Sequence, residues 1–361
     1  MSKITLKNIT HIYNGKVKAV DNLSMEVDNG KLIALLGPSG CGKTTLMRII
    51  AGLIRPTTGD VYFDEDRVTD MEPEQRNVAM VFQFPVVYAT MTVYDNLAFP
   101  LRAKKLGNEE IRRRVKNMAE FLEITPYLNM KAGKLNAALK QLTSLGRALI
   151  RDARCVLLDE PLTNIDPSSR LLIREKILKW RLERKQTTIY VTHDQSEALT
   201  LGEMIAVMNK GVLLQYDTPY NVYEKPANSF IAYFIGNPGM NLIECSFKKV
   251  GSKIVFESGC VKVSLPYEFA KAVEKEASGK VILGIRPEHI KLSKQKIEDG
   301  MLGTCVLFED MGVTKVINLQ LNSTRIRVKN PEFEVKVGES LYVTFPEEHI
   351  RIFNLNGEMI L

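Results

Sequence analysis

The chain has 361 residues, of which 45% are hydrophobic and 25% charged, with a formal net charge of +7, an ordinary composition for a globular protein of two domains. No apolar run approaches the ~20 residues of a membrane span, and residues 1–6 lack a signal peptide's apolar stretch, so we expect a cytosolic protein. The five cysteines are scattered without a C-x-x-C pair, which argues against a disulfide framework or a zinc site. The basic residues are dispersed, so we expect solubility and a diffuse attraction to anionic surfaces rather than nucleic-acid binding.

The first predicted element is a small antiparallel sheet near the N-terminus. Residues 6–27 alternate apolar and polar side chains in two short runs around Tyr13-Asn14-Gly15, as paired strands do. By this pattern alone, Tyr13 is a half-buried strand residue.

A glycine-rich segment follows, Gly37-Pro38-Ser39-Gly40-Cys41-Gly42-Lys43-Thr44-Thr45, between two apolar runs. It predicts a strand, a turn and a helix, which is the context of the phosphate-binding loop G-x-x-x-x-G-K-[ST]. Gly40 and Gly42 permit a tight bend that turns backbone N–H groups toward an anion. Lys43 would then reach the β- and γ-phosphates, Thr44 would bind Mg²⁺, and Tyr13 could stack on an adenine. A chance match in an ordinary glycine-rich turn is the alternative.

Residues 61–63 and 78–82 predict short strands, and Gln83 follows the second. An amide at the carboxyl end of a strand beside a phosphate loop can ligate Mg²⁺. From residue 84 to 150 the pattern becomes helical, and Asn108-Glu109-Glu110 predicts the cap of a helix over residues 111–122. Its Arg and Lys residues are interpreted as a solvated face.

Residues 155–158 form a continuous apolar run that ends in Asp159 and Glu160, as a parallel strand buried on both faces does. Ligands bind at the carboxyl ends of such strands, so we expect this acidic pair beside Lys43. Asp159 would hold Mg²⁺ and Glu160 would polarise the attacking water. A pair that merely caps a helix is the alternative.

Residues 188–192 predict another buried strand, which ends at His193. A histidine there can donate a hydrogen bond to a γ-phosphate, whereas a lone histidine is more often structural. Between these two strands, residues 171–184 have helical spacing. The residues predicted to pack inward, with Trp180 as core rather than a ligand platform, are Leu172, Ile173, Ile177, Leu178 and Trp180.

Together these features resemble the ATP-binding cassette (ABC) ATPases over nearly the whole chain. The resemblance implies an α/β P-loop ATPase core with antiparallel β and helical subdomains, working as a head-to-tail dimer with ATP and Mg²⁺. The elements that carry it are the Walker A loop (residues 37–45), the Walker B strand (156–160), the Q-loop Gln83, the D-loop Asn164-Ile165-Asp166, the switch His193 and the A-loop Tyr13.

The resemblance also implies roles for single residues. The implied catalytic residues are Lys43, Glu160 and His193, and the implied Mg²⁺ ligands are Thr44, Gln83 and Asp159. The implied nucleotide contacts are Tyr13, Gly37, Ser39, Gly40, Cys41, Gly42, Lys43, Thr44, Thr45 and Gln83.

Later segments resemble importer ATPases of the maltose type. The matching segments are residues 81–83, 91–96 and 228–238, and after Gly236 short alternating runs such as 261–265 and 324–328 predict small β-barrels. Residues 284–289 and 345–353 resemble that family's C-terminal regulatory domain, in which His289 is expected to be structural. We therefore predict an ATPase domain at 1–235, with its helical subdomain at about 84–150, and an all-β, OB-like (TOBE/MOP-type) domain at 236–361.

One element departs from the family pattern. Where the signature Leu-Ser-Gly-Gly-Gln is expected, the chain has Leu135-Asn136-Ala137-Ala138-Leu139. Asn136 can still cap the helix, but Ala137 and Ala138 place methyl groups where close approach is needed, and Leu139 replaces a polar side chain. Losing one donor aimed at developing charge costs on the order of 10²-fold in rate, so this signature is predicted to be nearly silent.

This asymmetry predicts a heterodimer with a second, different ATPase subunit whose signature is intact. The other expected partners are transmembrane permease subunits and, indirectly, a solute-binding protein, at the cytoplasmic face of the inner membrane. The expected cargo is a carbohydrate, a polyol such as glycerol, or a glycerol phosphate. The alternatives are a catalytically weak regulatory ABC subunit, an importer ATPase for a polyamine or inorganic ion, and a non-transport ABC protein, whose usual second cassette or coiled-coil insertion this chain lacks.

Overall fold

The computed structural model describes residues 2–163, 165–275 and 279–361. The chain divides into two compact units, Met1–Pro219 and Tyr220–Leu361. This division lies before the predicted boundary at 235/236, so the assignment of residues 220–235 to the ATPase domain stays a prediction. In the described part of the chain, no helix is both long and apolar enough to cross a membrane.

The first unit has mixed α/β structure. In chain order its elements are β1 (Ile4–Tyr13), β2 (Val17–Val27), β3 (Leu32–Leu36), α1 (Lys43–Ala51), β4 (Thr58–Phe63), β5 (Asp66–Arg67), α2 (Pro73–Arg76), β6 (Val78–Val81), α3 (Val93–Ala103), α4 (Asn108–Phe121), α5 (Ala137–Leu149), β7 (Cys155–Asp159), α6 (Pro167–Arg184), β8 (Thr188–Thr192), α7 (Gln195–Leu201), β9 (Met204–Asn209) and β10 (Val212–Asp217). A further helix, α8 (Pro219–Glu224), begins at the boundary.

The central sheet has the strand order β10-β9-β3-β8-β7-β6. Its strands are parallel except for β10, which pairs antiparallel with β9. Every residue of β3, β7 and β8 is buried, which explains why these strands are continuous apolar runs rather than alternating ones. The carboxyl ends of parallel strands meet at one edge, so the segments that follow β3, β6, β7 and β8 lie side by side.

A second sheet, β2-β1-β4-β5, is antiparallel and contains the predicted N-terminal pair β1 and β2. A buried arginine ties this part of the unit to α1. Arg76 is 1% exposed, and its guanidinium donates to the Ile49, Ile50, Thr69 and Met71 carbonyls at 2.7–2.9 Å. Ile49 and Ile50 belong to the last turn of α1, where helix carbonyls lack intrahelical partners.

Helices α3, α4 and α5 lie within the predicted helical region. On α4, the buried residues Ile111, Val115, Met118 and Ala119 recur at the spacing of one helix face. The predicted cap at Asn108-Glu109-Glu110 is wrong, because Gly107 occupies the cap position and Asn108 is already helical, with no side-chain capping bond. Glu109 and Glu110 instead occupy the first turn, where negative charge is favourable.

Helix α6 begins earlier than its apolar spacing predicts, at Pro167. Ile173 and Ile177 are buried as predicted. Trp180 is only half-buried, packing against the edge of the core and against Phe121 with ring centroids 5.6 Å apart. The prediction of Trp180 as a core residue is therefore only partly right, because the side chain remains partly accessible to solvent.

The second unit is built mainly of strands. After α8 it contains α9 (Ser229–Phe234), β11 (Asn241–Val250), β12 (Lys253–Ser258), β13 (Val261–Pro266), α10 (Tyr267–Ala270), β14 (Lys280–Ile285), β15 (Lys291–Ser293), β16 (Met301–Asp310), β17 (Lys315–Leu321), β18 (Thr324–Lys329), β19 (Ser340–Thr344) and β20 (Arg351–Phe353). These strands form two antiparallel five-stranded sheets, β13-β12-β11-β14-β20 and β15-β19-β16-β17-β18. The alternation seen in the sequence places one face of each sheet in a common core.

A buried guanidinium also holds the second unit together. Arg286 is 1% exposed and donates to the backbone carbonyls of Tyr223, Ala232 and Ile235. Its guanidinium lies 3.8 Å from the centre of the Tyr223 ring. Residues 220–235 therefore supply the hydrogen-bond acceptors for the buried guanidinium of Arg286, which directly follows β14. His289 stacks on His349 with ring centroids 3.7 Å apart, a packing contact that fits its expected structural role.

Candidate active site

The phosphate-loop segment joins β3 to α1, as the sequence predicts. Gly40 and Gly42 have φ of +77° and +104°, a conformation that side chains disfavour. A Cβ at Gly37 would lie 2.2 Å from the Met208 carbonyl oxygen, and one at Gly42 would lie 2.1 Å from the Ala19 oxygen. These glycines are therefore required by packing and by φ, and they let the backbone curl in front of the start of α1.

Lys43 is the first residue of α1 and is 4% exposed. Its Nζ donates to the Gly37 and Pro38 carbonyls at 2.7 and 2.9 Å, and it lies 3.7 Å from Cys41 Sγ. The ammonium is thus folded over the loop, where its hydrogen-bond partners are neutral. A buried cation held by neutral groups fits an anionic ligand, because the anion would supply the missing countercharge.

Asp159 ends β7 and faces the loop. Thr44 Oγ1 donates to Asp159 Oδ1 at 3.3 Å, and Asp159 is 6% exposed. Burial raises the pKa of the Asp159 carboxyl, against the opposing effect of the Thr44 hydrogen bond. Hydroxyl and carboxylate oxygens are the ligands that Mg²⁺ prefers. Among the described residues, no group of three or more His, Cys, Asp or Glu side chains is placed to hold a metal ion, so Mg²⁺ here would be held by these oxygens together with substrate phosphates.

The Glu160 carboxylate is a meeting point of several side chains. Gln83 Nε2 and Thr163 Oγ1 each donate to Glu160 Oε2 at 3.2 Å, and His193 Nδ1 lies 3.1 Å from the same oxygen. Glu160 has φ of +43°, so its backbone turns sharply where β7 ends. The structure thus brings Gln83, Glu160 and His193 together from the ends of β6, β7 and β8. Thr163 gave no signal in the sequence, because only its position after the turn makes it a partner.

The acidic pair does not cap the following helix. The cap of α6 is Asp166, whose Oδ1 accepts from Ser168 Oγ at 2.6 Å and from the Ser169 N–H at 3.0 Å. These bonds, the Ser168 one foremost, lower the pKa of Asp166 to about 2. Asn164, the first residue of the predicted D-loop, lies outside the described residues.

Tyr13 lies at the end of β1 beside the phosphate loop. Its hydroxyl is 3.4 Å from Thr45 Oγ1, and its ring meets His11 edge-on with centroids 4.5 Å apart. The ring is half-buried. This placement fits the strand interpretation and also leaves the ring near the loop, so adenine stacking stays a prediction.

The predicted degenerate signature lies at the start of α5. Asn136 caps the helix by accepting from the Leu139 N–H at 2.9 Å. Ala137 is exposed, whereas Ala138 and Leu139 are half-buried against the core. Among the described hydrogen bonds, none joins residues 136–139 to the phosphate loop. One turn later, the buried Gln141 donates to the Pro161 carbonyl at 2.7 Å, so α5 is tied to the segment after Glu160, a link that the sequence analysis missed.

Comparison with known protein families gives three matches. The "ABC transporter" family matches residues 20–163, the "MalK OB fold domain" matches 236–290 and the "TOBE domain" matches 283–353. The first match contains the phosphate loop, Gln83, Asp159 and Glu160. The other two cover most of the β-rich second unit, in agreement with the predicted OB-like C-terminal domain.

Individual relatives agree over almost the full length. The chain is 42% identical to the sn-glycerol-3-phosphate import ATP-binding protein UgpC of Yersinia pestis, covering 99% of this chain and 98% of the relative. It is 39% identical to the trehalose/maltose import ATP-binding protein MalK of Thermococcus litoralis, covering 98% of each.

A solved structure shares the fold of the first unit. It is a dimeric structure of the ATP-binding cassette MJ0796 bound to ADP and Pi, 27% identical, with a TM-score of 0.55 over 60% of this chain and 98% of that one. The family matches, the full-length relatives and the solved structure thus agree on one kind of protein. The chain belongs to the ATP-binding subunits of ABC transporters of the import type, which are ATPases that associate with membrane permease components.

Proposed function

We propose that this chain is the ATP-hydrolysing subunit of an importer for a glycerol phosphate, a polyol such as glycerol, or a carbohydrate, acting at the cytoplasmic face of the membrane. The observation that carries the hydrolytic role is the convergence of Gln83, Thr163 and His193 on Glu160 Oε2 beside the phosphate loop. The cargo class is supported by the relatives named for sn-glycerol 3-phosphate and trehalose/maltose import.

The binding residues follow from the geometry of the loop. Backbone N–H groups of residues 39–45 and the Lys43 ammonium would hold the triphosphate, with the start of α1 adding partial positive charge. Thr44, Gln83 and Asp159 would hold Mg²⁺. When bound, this cation neutralises charge on the β- and γ-phosphate oxygens. Tyr13 would provide the stacking face for the adenine.

Glu160 is proposed as the general base. Its carboxylate would accept the proton of the attacking water, while Gln83, Thr163 and His193 fix the orientation of Oε2. A base held by three side chains loses little freedom when substrate binds, which favours catalysis by positioning. His193 would donate to the γ-phosphate oxygens.

We also propose that the chain pairs with a second, different ATPase subunit. The support is the α5 start, where Asn136 is engaged as a helix cap and Ala137 exposes a methyl group. Such a surface offers a partner's phosphate no hydroxyl and no close backbone approach. The partner's intact signature would complete the Walker site of this chain, whereas the opposite site would turn over slowly. A catalytically weak regulatory subunit is the second candidate, favoured by the same α5 start but opposed by the complete set around Glu160.

ATPase measurements test the pairing. The purified chain alone is expected to hydrolyse ATP roughly 10²-fold more slowly than the assembled transporter that contains the second ATPase, since one signature donor is worth about that factor. An isolated chain that turns over as fast as the full assembly would overturn the heterodimer. A full assembly without turnover would favour the regulatory subunit.

The cargo is tested by uptake. Membrane vesicles with the assembled importer and its solute-binding protein are expected to accumulate labelled sn-glycerol 3-phosphate, glycerol or maltose only with internal ATP. Uptake of a polyamine or an inorganic ion, with none of these three, would overturn the cargo class and leave the ATPase assignment intact.

A further inference from the structure

A cavity of about 610 Å³ opens in the first unit, away from the phosphate loop. Asn77 and Arg154, which line it, directly precede β6 and β7. It therefore lies at the amino ends of these strands, whereas Lys43 and Glu160 lie at the carboxyl ends. The volume falls within the range of small-molecule sites.

The cavity has an apolar floor. Met118 and Phe121 contribute from α4, Leu149 from the end of α5, and Trp180 from α6. Met118 and Leu149 are buried, while Phe121 and Trp180 are half-buried and in edge contact with each other. An accessible aromatic pair in a concave site can contact the apolar part of a ligand.

The rim is strongly basic. Five arginines and two carboxylates line the cavity, namely Arg113, Arg114, Arg151, Arg154, Arg184, Asp152 and Glu183. Three of the arginines are already paired. Arg113 and Arg114 share Glu110, Arg114 also binds Asp152, and Arg154 binds Asp64 and Asp66.

The two remaining arginines have no carboxylate partner in the part of the chain that the structure describes. Arg151 is half-buried, with neither an ion pair nor a side-chain hydrogen bond there, and burial lowers the pKa of its guanidinium. Arg184 stands over the Trp180 ring, 5.2 Å from its centre. Arg184 is exposed, whereas Arg151 is partly taken out of water without a countercharge, a cost that a bound anion would offset.

We propose that this cavity is a binding site for a small organic phosphate, with its phosphoryl group on Arg151 and Arg184 and its apolar portion on Phe121 and Trp180. Guanidinium groups match phosphate oxygens in geometry and charge. The two guanidinium groups without carboxylate partners, Arg151 and Arg184, favour a dianion over a monoanion, so a phosphate monoester is preferred to a carboxylate. This site does not depend on ATP hydrolysis or on the proposed pairing.

Trp180 provides the readout, because it is the single tryptophan of the chain. In titrations of the full chain without nucleotide, phenyl phosphate is expected to change Trp180 fluorescence saturably. Benzoate, the monoanionic analogue, is expected to bind at least tenfold more weakly, and neutral benzyl alcohol not to bind. No saturable change with phenyl phosphate, or binding of benzoate as tight as that of phenyl phosphate, would overturn the proposal.

Variants separate this site from the phosphate loop. Arg151→Gln with Arg184→Gln is expected to weaken phenyl phosphate binding by roughly tenfold or more per guanidinium, measured by calorimetry so that the changed surroundings of Trp180 do not interfere. Arg112→Gln is the matched control, since Arg112 is exposed on α4 and does not line the cavity. Thermal unfolding checks that the double variant is folded.

Lys43→Ala is the second control. It removes the cation of the phosphate loop and is expected to leave phenyl phosphate binding unchanged. Loss of binding in Lys43→Ala would place the ligand in the phosphate loop and overturn the cavity site, as would unchanged binding in the folded double arginine variant.

Discussion

At the scale of single residues, the two adjacent carboxylates of β7 have separate partners. Asp159 accepts from Thr44, whereas Glu160 is held by Gln83, Thr163 and His193. The positive φ of Glu160 turns its side chain away from the direction that a continued strand would give. Neighbouring acids can therefore take different roles, Asp159 as a proposed Mg²⁺ ligand and Glu160 as the proposed base.

Glu160→Gln is predicted to lower kcat of the assembled transporter by roughly 10²-fold or more, the usual contribution of a general base. ATP binding is expected to persist, because the loop and Lys43 are unchanged. Steady-state ATPase assays and a nucleotide-binding titration measure the two effects.

The control for this change is Glu175→Gln, which removes an exposed carboxylate from the adjacent helix α6 and is expected to leave kcat unaltered. Near-normal turnover in Glu160→Gln would exclude Glu160 as the base.

Asp166, the cap of α6, makes the stability of the folded chain depend on pH in the acid range. Its pKa is about 2 in the folded chain against an ordinary value of 3.8, so its stabilising contribution is complete above about pH 4 and is lost as the pH falls toward 2. Asp166→Asn keeps a good cap but cannot titrate. The variant is thus predicted to show a smaller loss of stability between pH 4 and 2, measured by urea unfolding at each pH. An identical pH dependence in both proteins would contradict this role.

At the scale of elements, the strands around the site are predictable from sequence because their apolar runs are uninterrupted. β3, β7 and β8 lie where the apolar runs predict them, and each run is followed by residues with chemically distinctive side chains. The cap at Gly107 and the half-exposure of Trp180 are not predictable in the same way. Both depend on where the chain packs in three dimensions, which local spacing does not contain.

The site itself was predicted only in part, for the same reason. Gln83, Glu160 and His193 could be inferred because each follows a strand of one sheet. The bonds from Thr163 to Glu160 and from Gln141 to Pro161 join segments through turn geometry. The cavity at the amino ends of β6 and β7 joins residues of α4, α5 and α6 with the segments that precede these strands. No motif marks these contacts.

Restoring the signature tests the start of α5. The combined change Asn136→Ser, Ala137→Gly, Ala138→Gly and Leu139→Gln is predicted to raise the ATPase rate of the isolated chain by roughly 10²-fold, because a second copy could then supply the missing donors. Ser preserves the cap, while each Ala→Gly change costs about 0.5–1 kcal/mol of helix stability. ATPase assays and thermal unfolding check both statements.

Adding Glu160→Gln to the restored variant is expected to cancel the gain, which would locate the chemistry in the Walker site. An ATPase rate that does not respond to the restored signature would show that the α5 start is not what limits the isolated chain.

At the scale of the whole molecule, the boundary between the units can be decided by stability. Arg286 is buried and depends on the carbonyls of Tyr223, Ala232 and Ile235. A fragment 236–361 lacks these acceptors and the Tyr223 ring, and it is predicted to be less stable than a fragment 220–361 by about 1.5–3 kcal/mol or more, the net value of one hydrogen bond from a charged donor. Urea unfolding followed by circular dichroism measures the difference.

Arg286→Met in the longer fragment is the control. It removes the donor of these hydrogen bonds while keeping an apolar stem, and it is expected to reproduce most of the loss. Equal stability of the two unmodified fragments would instead support the boundary at 235/236.

The buried Arg76 guanidinium connects the helix that follows the phosphate loop to another part of the first unit. Its guanidinium donates to carbonyls in the last turn of α1 and in the segment that follows β5. Strand β1, which bears Tyr13, is hydrogen-bonded to β4 in the same sheet as β5. Arg76 thereby links the sheet that bears Tyr13 to the helix that follows the phosphate loop. Arg76→Lys would keep the charge but lose the planar set of donors that makes these hydrogen bonds. We expect it to weaken nucleotide affinity, although Arg76 is remote from the reacting atoms.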